Sequence, residues 1–173
     1  MITELNVEHL APLTSLEQQS HSGTSASQLL EALGSLDASV LGYWQAECLL
    51  GYAIVARLPF EAELQAIGVL PECRRRGAGQ ALINAVVETA QAWQSERLLL
   101  EVRVSNHAAI KLYRRSGFNE DGYRKGYYPA QGFYQAQGCY QTQGCSTAPS
   151  AAKREDALLM SRCFKVSDET SVT

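Results

Sequence analysis

The fold is decided by residues 67–80, which read Ile67-Gly68-Val69-Leu70-Pro71-Glu72-Cys73-Arg74-Arg75-Arg76-Gly77-Ala78-Gly79-Gln80. A strand-like run ends at Val69, a turn rich in arginine and glycine follows, and a helix begins near Gly79. Gly77 and Gly79 let the backbone turn tightly and bring amide N–H groups close to a ligand. Amides at a helix N-terminus favour an anion such as pyrophosphate. The sequence therefore predicts an anion-binding turn between a strand and a helix.

The three arginines of this turn, Arg74 to Arg76, add charge that can pair with phosphate oxygens. Gln80-Ala81 stands where a nucleoside-triphosphate P-loop has Lys followed by Ser or Thr, which argues against a kinase or an ATPase. An ordinary loop with solvated arginines is the competing interpretation of the turn.

The chain after the turn predicts a helix to about residue 93, because its apolar residues repeat with the helical period. Residues 97–103 then predict a buried strand, and residues 106–116 a short helix that Gly117 ends. Strand, helix and strand in this order imply a parallel crossover in a mixed sheet. Two closing strands are expected at residues 118–128 and 156–164.

The chain before the turn predicts a strand at residues 2–7 and helices at residues 8–20 and 25–34, the second capped by Ser25 or Ser27 and ended by Gly34. Residues 39–45, 48–58 and 61–69 predict three strands joined as antiparallel hairpins. The expected fold is thus α/β (α+β), with a mostly antiparallel sheet of six to seven strands and about four helices.

The domain organisation is predicted to be a single domain over residues 1–165, with a frayed tail at 166–173. Residues 128–145 repeat one Tyr/Gln/Gly-rich hexapeptide three times, and a Ser/Thr/Ala/Pro tract follows to residue 152. We interpret residues 129–152 as a low-complexity insertion in one loop. A tolerated tandem duplication and a functional lid or partner-binding loop are both compatible with it.

The composition excludes several classes of protein. A net charge of -3 and a pI of about 5.6 argue against nucleic-acid and anionic-membrane binding. We expect no secretory signal and no membrane span. Five scattered cysteines without C-x-x-C spacing predict a reduced cytoplasmic protein, and the three separate histidines predict no metal site.

The turn and its surroundings resemble the GNAT superfamily of N-acetyltransferases, whose coenzyme A loop reads Gln/Arg-x-x-Gly-x-Gly/Ala, here Arg74, Gly77 and Gly79. From residue 67 to about residue 129 the sequence is similar to the RimI type, which acetylates the N-terminal alanine of a small-subunit ribosomal protein. The matching runs include Leu100-Glu101-Val102-Arg103, Ala108-Ala109-Ile110, Gly117-Phe118-Asn119, Tyr127-Tyr128-Pro129 and Arg154-Glu155-Asp156-Ala157.

This resemblance implies acetyl-coenzyme A as co-substrate, and a sheet that splays between its fourth and fifth strands. The backbone of Ile67, Gly68 and Val69 would pair with the pantetheine arm. The turn that holds pyrophosphate would consist of Arg75, Arg76, Gly77, Ala78, Gly79 and Gln80. Asn106 either caps the following helix or touches the cofactor.

Acetyl transfer to an amine needs a base, because an ammonium group cannot attack a thioester. A protein α-amine has a pKa near 8, against about 10.4 for lysine, so its deprotonation is only modestly unfavourable. Alternation places the Glu101 carboxylate opposite Leu98, Leu100 and Val102, and the RimI pattern makes this glutamate the general base.

The same pattern makes Tyr113 the general acid for the coenzyme thiolate. Glu63 is the rival base, and strand alternation gives it the same parity as Ile67 and Val69. Tyr127 and Tyr128 are expected to border the acceptor groove, and a packing role alone is the competing interpretation.

Two regions near the expected acceptor side depart from the RimI pattern. His21-Ser22-Gly23-Thr24-Ser25 stands where that pattern has an aromatic-proline-tryptophan group, and the repeats occupy a loop that is otherwise short. The expected partner is the N-terminus of a small-subunit ribosomal protein, without direct nucleic-acid contact and with a monomer favoured. Acetylation of lysine or small amines, and a non-catalytic acyl-coenzyme A-binding module, are the alternatives.

Overall fold

The computed structural model describes residues 1–129 and 154–164. The strands are β1 (Ile2–Glu4), β2 (Ala38–Gln45), β3 (Cys48–Arg57), β4 (Glu61–Val69), β5 (Arg97–Arg103), β6 (Asn119–Tyr128) and β7 (Glu155–Cys163). The helices are α1 (Leu10–Ser20), α2 (Ala26–Gly34), α3 (Ala78–Ala92) and α4 (His107–Arg115). Two 3₁₀ turns, Val7–His9 and Pro71–Cys73, precede α1 and α3.

The strands form one sheet in the order β1-β2-β3-β4-β5-β7-β6. Only the β4–β5 pair is parallel among the described pairs, because α3 carries the chain back between these two strands. The predicted mixed and mostly antiparallel sheet with its four helices is confirmed. The first strand is shorter than expected and ends at Glu4, and the first helix begins as a 3₁₀ turn.

Apolar side chains fill both faces of the sheet. On one face, α3 buries Leu82, Ile83 and Val86 against β5, where Leu98 and Leu100 are also buried. On the other face, α1 and α2 bury a second cluster around β3, formed by Leu13, Leu16, Leu29, Val40, Tyr52 and Ile54. The sheet therefore separates two cores, and a site can open onto either face.

The β4–β5 pair covers only half of each strand. It joins Glu61–Leu64 to Arg97–Leu100, after which β4 continues to Val69 and β5 to Arg103 without pairing to each other. The two strands therefore splay apart beyond Leu64, as the family resemblance implied. The splay leaves backbone groups of both strands open to a ligand.

A bulge at Gln65 reverses the alternation along β4. The β3–β4 register pairs Val55 with Leu64 and Ile54 with Ala66, so Gln65 is an extra residue. The expectation that Glu63 shares the parity of Ile67 and Val69 is therefore wrong. Ile67 and Val69 pack against the α3-side core, while Glu63 lines a cleft on the opposite face.

Two helix caps match the polar residues expected to supply them. The Ser25 hydroxyl accepts from the Gln28 amide, and the Gln28 side chain accepts from the Ser25 amide, so Ser25 and not Ser27 caps α2. The Asn106 side-chain oxygen accepts from the Ala109 amide at 3.2 Å and caps α4. This cap fixes the first turn of the helix that carries Tyr113.

The predicted repeat insertion and the tail fall almost wholly on residues 130–153 and 165–173, outside the described residues. Within residues 1–129 and 154–164, no helix is long and apolar enough to cross a membrane. The same residues contain no cluster of three or more His, Cys, Asp or Glu side chains that could hold a metal ion.

Candidate active site

The turn before α3 presents free backbone donors. Gly77 has a φ of 90° and caps the helix, and the first helical amide that bonds back to the turn is that of Ala81, to the Gly77 carbonyl. The preceding amides, of Ala78, Gly79 and Gln80, have no carbonyl partner among the described residues. They lie at the positive end of the α3 dipole. The turn therefore presents free amide donors at the start of α3, and anion binding by these amides stays a prediction.

The three arginines of the turn differ in their surroundings. The Arg74 guanidinium donates to the Val69 carbonyl at 3.0 Å and to the Ser20 carbonyl at 2.9 Å. It therefore links the end of β4 to the end of α1, so the Arg74 guanidinium is already engaged within the fold. Arg75 and Arg76 are exposed and form no ion pair with the residues that the structure describes.

In the part of β4 beyond Leu64, only some peptide groups face the gap between β4 and β5. The Leu70 amide, just after β4, donates to the carbonyl of Leu50 on β3 at 3.0 Å. Since peptide groups alternate along a strand, Gly68 also faces β3, whereas Ile67 and Val69 face the gap. The Val69 carbonyl already accepts from Arg74. The amides of Ile67 and Val69 and the Ile67 carbonyl are thus the groups left for a ligand.

Gly68 has a packing reason to be glycine. A Cβ built on it would lie 2.7 Å from Cε1 of Tyr52 and 2.8 Å from Oγ of Ser20. Both neighbours are buried, at 0% and 6% exposure. The glycine lets α1 and β3 approach β4 closely.

A cleft of about 580 Å³ opens on the face of the sheet that carries α1 and α2. Its lining brings Glu63 and Glu101 together with Tyr127 and Tyr128. The lining also includes three small residues of the α1–α2 connection, Ser22, Gly23 and Thr24. The cleft therefore collects both candidate bases in one space.

Glu101 lies on the cleft side of β5, while Leu98, Leu100 and Val102 are buried on the other side, so the predicted alternation is confirmed. Its Oε1 accepts from Nη1 of Arg124 at 2.8 Å. The hydrogen bond with Glu101 has the largest effect in raising the pKa of the Tyr127 phenol, and burial raises it further. Burial and the Glu101 charge raise the pKa of Tyr128 to about 12.

The end of β6, which carries both tyrosines, is held by charged residues at the start of β7. Arg154 donates to the Gly126 carbonyl at 2.6 Å and to the Tyr127 carbonyl at 2.8 Å. Asp156 accepts from the Gly126 amide at 2.7 Å. The run Arg154-Glu155-Asp156, noted in the sequence only as a resemblance, thus orients the tyrosine pair.

Arg103, on β5, contacts Tyr128. Its guanidinium lies 4.3 Å from the centre of the Tyr128 ring, donates to the Pro129 carbonyl at 2.9 Å and pairs with Glu155 at 3.1 Å. Burial opposes ionisation of Glu155, but hydrogen bonds from Ser105 and Arg103 lower the pKa of its carboxyl. A charged Glu155 therefore anchors Arg103 against the tyrosine.

Tyr113 lies apart from the cleft lining, in the core between α3 and α4. Its side chain is 4% exposed and packs against Phe118, with ring centres 5.8 Å apart. Burial, and then the nearby Tyr128, raises the pKa of its phenol, so Tyr113 stays protonated at neutral pH. Glu101 and Tyr113 are thus on opposite faces of the sheet, one facing the cleft and one inside the α3-side core.

Glu17 is the residue at this cleft that sequence reasoning missed. It is 9% exposed, and its carboxylate accepts five hydrogen bonds behind the Ser22–Thr24 wall. A signal was available, because Glu17 and Ser20 each follow a buried leucine of α1, Leu13 and Leu16, by four residues. Polar residues on an apolar helix face indicate a buried polar contact.

Comparison with known proteins shows which family the chain resembles. The model of the acetyltransferase (GNAT) family matches residues 7–118. The chain is 42% identical over 78 residues to the [ribosomal protein bS18]-alanine N-acetyltransferase of Escherichia coli K12, covering 45% of this chain and 53% of that protein. It is 39% identical over 80 residues to a putative [ribosomal protein bS18]-alanine N-acetyltransferase of Bacillus subtilis, covering 46% of this chain and 53% of that protein.

Among solved structures, the ribosomal-protein-S18-alanine N-acetyltransferase from Escherichia coli superposes with a TM-score of 0.80 at 27% identity, over 100% of this chain and 99% of that one. In sequence, however, the chain spans only about half the length of the two curated relatives named above.

Proposed function

The chain belongs to the acetyltransferase (GNAT) family, and on this premise we propose that it transfers the acetyl group of acetyl-coenzyme A to the N-terminal amine of a protein. The observation that carries the proposal is the position of Glu101. Its carboxylate faces the cleft on the half of β5 that has separated from β4, where an acceptor amine and a thioester can meet.

In the proposed reaction, Glu101 takes a proton from the acceptor ammonium group, directly or through water. The freed nitrogen lone pair attacks the thioester carbonyl carbon, a C–N bond forms and the C–S bond breaks. An α-amine with a pKa near 8 needs less help from the base than a lysine with a pKa of about 10.4. A carboxylate, which is a weak base, is therefore better matched to an N-terminus than to a lysine side chain.

Tyr113 is the proposed proton donor to the departing thiolate. Its raised pKa keeps the phenol protonated, which is the state a general acid requires. Tyr113 approaches from the α3-side core, while Glu101 works from the cleft. The acid and the base would thus act from opposite sides of the splayed sheet.

The described residues fit acetyl-coenzyme A as co-substrate. The amides of Ala78, Gly79 and Gln80 would bind the diphosphate, with Arg75 and Arg76 adding charge. The peptide groups of Ile67 and Val69 that face the gap would pair with the pantetheine amides. The Asn106 side-chain oxygen is already used by the α4 cap, which leaves only its amino group for a ligand.

We propose the N-terminal alanine of a small-subunit ribosomal protein as the acceptor. Relatives from Escherichia coli and Bacillus subtilis are named for this reaction on bS18. The cytoplasm, where ribosomes and acetyl-coenzyme A meet, is the proposed location.

Replacement of the two cleft glutamates tests the assignment of the base. Glu101→Gln is expected to lower kcat by about 10²- to 10⁴-fold, the usual contribution of a general base, with coenzyme affinity unchanged. Its residual rate should rise with pH through the amine's own pKa, near 8. The matched Glu63→Gln change should cost less than about tenfold. A reversed order of the two effects would assign the base to Glu63.

A further inference from the structure

The α1–α2 connection, residues 21–25, is held by one buried carboxylate. Oε1 of Glu17 accepts from the amides of Gly23 at 2.8 Å and Thr24 at 3.1 Å. Oε2 accepts from the hydroxyls of Ser20 at 3.0 Å, Ser22 at 2.7 Å and Tyr52 at 2.7 Å. Hydrogen bonds to the Glu17 carboxylate, rather than those of a helix or a strand, therefore hold this segment.

Tyr52 connects this network to the central sheet. Tyr52 is fully buried on β3, and burial raises the pKa of its phenol, so it remains a donor to Glu17 at neutral pH. Its hydroxyl also lies 2.8 Å from that of Ser22 and 3.1 Å from that of Thr24. The position of the α1–α2 connection is thereby tied to the central sheet.

The near side of the network is the wall of the cleft. Ser22, Gly23 and Thr24, all bonded to Glu17 or Tyr52, line the same cleft as Glu101 and Tyr127. None of these three side chains is large enough to fill the space. Glu17 therefore holds the backbone of a segment that lines the cleft.

We propose that Glu17 is a positioning residue that sets the acceptor wall of the cleft and so determines how tightly the acceptor peptide binds. The proposal rests on the function proposed above for this cleft. Glu17 does not touch the reacting atoms, because its two oxygens are occupied by the five internal donors. Its effect on the reaction passes through Ser22, Gly23 and Thr24.

A carboxylate suits this role better than an amide does. Five donors converge on Glu17, and a carboxylate offers about four lone-pair sites on two oxygens, whereas a carboxamide accepts through one oxygen only. Glu17→Gln keeps the size and shape of the side chain, yet places an amino group where three hydroxyls now donate. The segment should therefore shift or loosen while the fold is kept.

The test is steady-state kinetics of Glu17→Gln with an alanine-initiated peptide and acetyl-coenzyme A. We expect the acceptor KM to rise about tenfold, while the KM for acetyl-coenzyme A and kcat change by less than about twofold, the pattern of lost uniform binding. Tyr52→Phe, which removes one donor and keeps the buried ring, should shift the acceptor KM in the same direction by a smaller factor. Glu88→Gln on the exposed side of α3 makes the same charge change and should alter neither KM.

Amide hydrogen exchange at Gly23 and Thr24 provides a readout that does not depend on catalysis. Both amides should exchange faster in Glu17→Gln than in the wild type, with amides of β3 unchanged. Equal acceptor KM values and equal exchange in the two proteins would overturn the proposal. A parallel loss of kcat, both KM values and thermal stability would also overturn it, since Glu17 would then act on the fold as a whole. If the wild type acetylates no N-terminus, the proposed function is refuted. Faster exchange in Glu17→Gln would then still show that Glu17 holds residues 23 and 24.

Discussion

Gly68→Ala separates a packing role from a ligand-binding role at a position where the sequence suggested contact with the coenzyme. The added Cβ would lie 2.7 Å from the Tyr52 ring and 2.8 Å from the Ser20 hydroxyl, closer than non-bonded carbon contacts allow. Neither neighbour can retreat easily, because the Tyr52 and Ser20 hydroxyls both donate to Glu17. The methyl group must therefore displace α1 or β3 from β4.

Overpacking of this kind typically costs about 1 to 3 kcal/mol. For a domain of this size, each kcal/mol lowers Tm by roughly 2 to 4 °C, so a fall of several degrees is expected. The backbone adds no strain of its own, because Gly68 is not in the left-handed region. Because the peptide groups of Gly68 face β3, coenzyme affinity should change by less than about threefold in the folded variant, well under the tenfold that corresponds to 1.4 kcal/mol.

Thermal denaturation followed by circular dichroism, together with calorimetric titration of coenzyme A, measures both effects. Gly34→Ala is the matched control, since no atom lies within 4 Å of its added Cβ. At the end of α2 this change should be neutral or stabilise by about 0.4 to 1 kcal/mol. An unchanged Tm with a large loss of coenzyme affinity in Gly68→Ala would refute the packing argument and favour direct coenzyme contact.

Three further predictions follow from the site. Arg74→Ala should lower Tm with a small change in coenzyme affinity, whereas Arg75→Ala and Arg76→Ala should raise the coenzyme Kd and leave Tm unchanged. Calorimetry measures the Kd and thermal denaturation the Tm. Equal behaviour of all three variants would contradict the link that Arg74 makes between β4 and α1. Burial raises the folded pKa of Tyr52 and Tyr113 above the unfolded value of about 10, so the stability they contribute is present below about pH 10 and is lost as pH rises above it. Tyr113→Phe should therefore flatten the alkaline decline of the unfolding free energy measured in urea, and an unaltered slope would disprove the burial effect. Asn106→Ala should cost about 1 kcal/mol through loss of the α4 cap, whereas Asn106→Ser should recover most of it; an equal loss in both would point to another role.

Sequence patterns predicted the sheet, its crossover and the turn that starts α3 because each depends on local spacing. The helical period of α3 and the alternation along β5 are visible without any tertiary contact, and both are confirmed. Glu63 and Glu101 were named as rival bases from strand parity and resemblance, and the structure brings both into one cleft. Their catalytic roles, and that of Tyr113, stay predictions.

The errors arose where a tertiary contact overrides the local pattern. No glycine or proline next to Gln65 indicates a bulge in the sequence. Because of this bulge, the side chains of Ile67 and Val69 lie on the opposite face of the sheet from Glu63. Arg74 looks like its two neighbours in sequence, but the Ser20 carbonyl that it binds is 54 positions away. For Glu17 the spacing from Leu13 was visible in the sequence, but the contacts were not, since three of its five donors come from a loop and one from a distant strand.

The proposal that this cleft acetylates a protein N-terminus is tested most directly by locating the acetyl group on a product. An alanine-initiated peptide with an internal lysine is incubated with the full chain and acetyl-coenzyme A, and the product is fragmented in a mass spectrometer. We predict one acetyl group on the α-amine, formed at a rate that Glu101→Gln strongly reduces. Acetyl on the lysine alone, or no transfer despite bound coenzyme, would contradict the proposal.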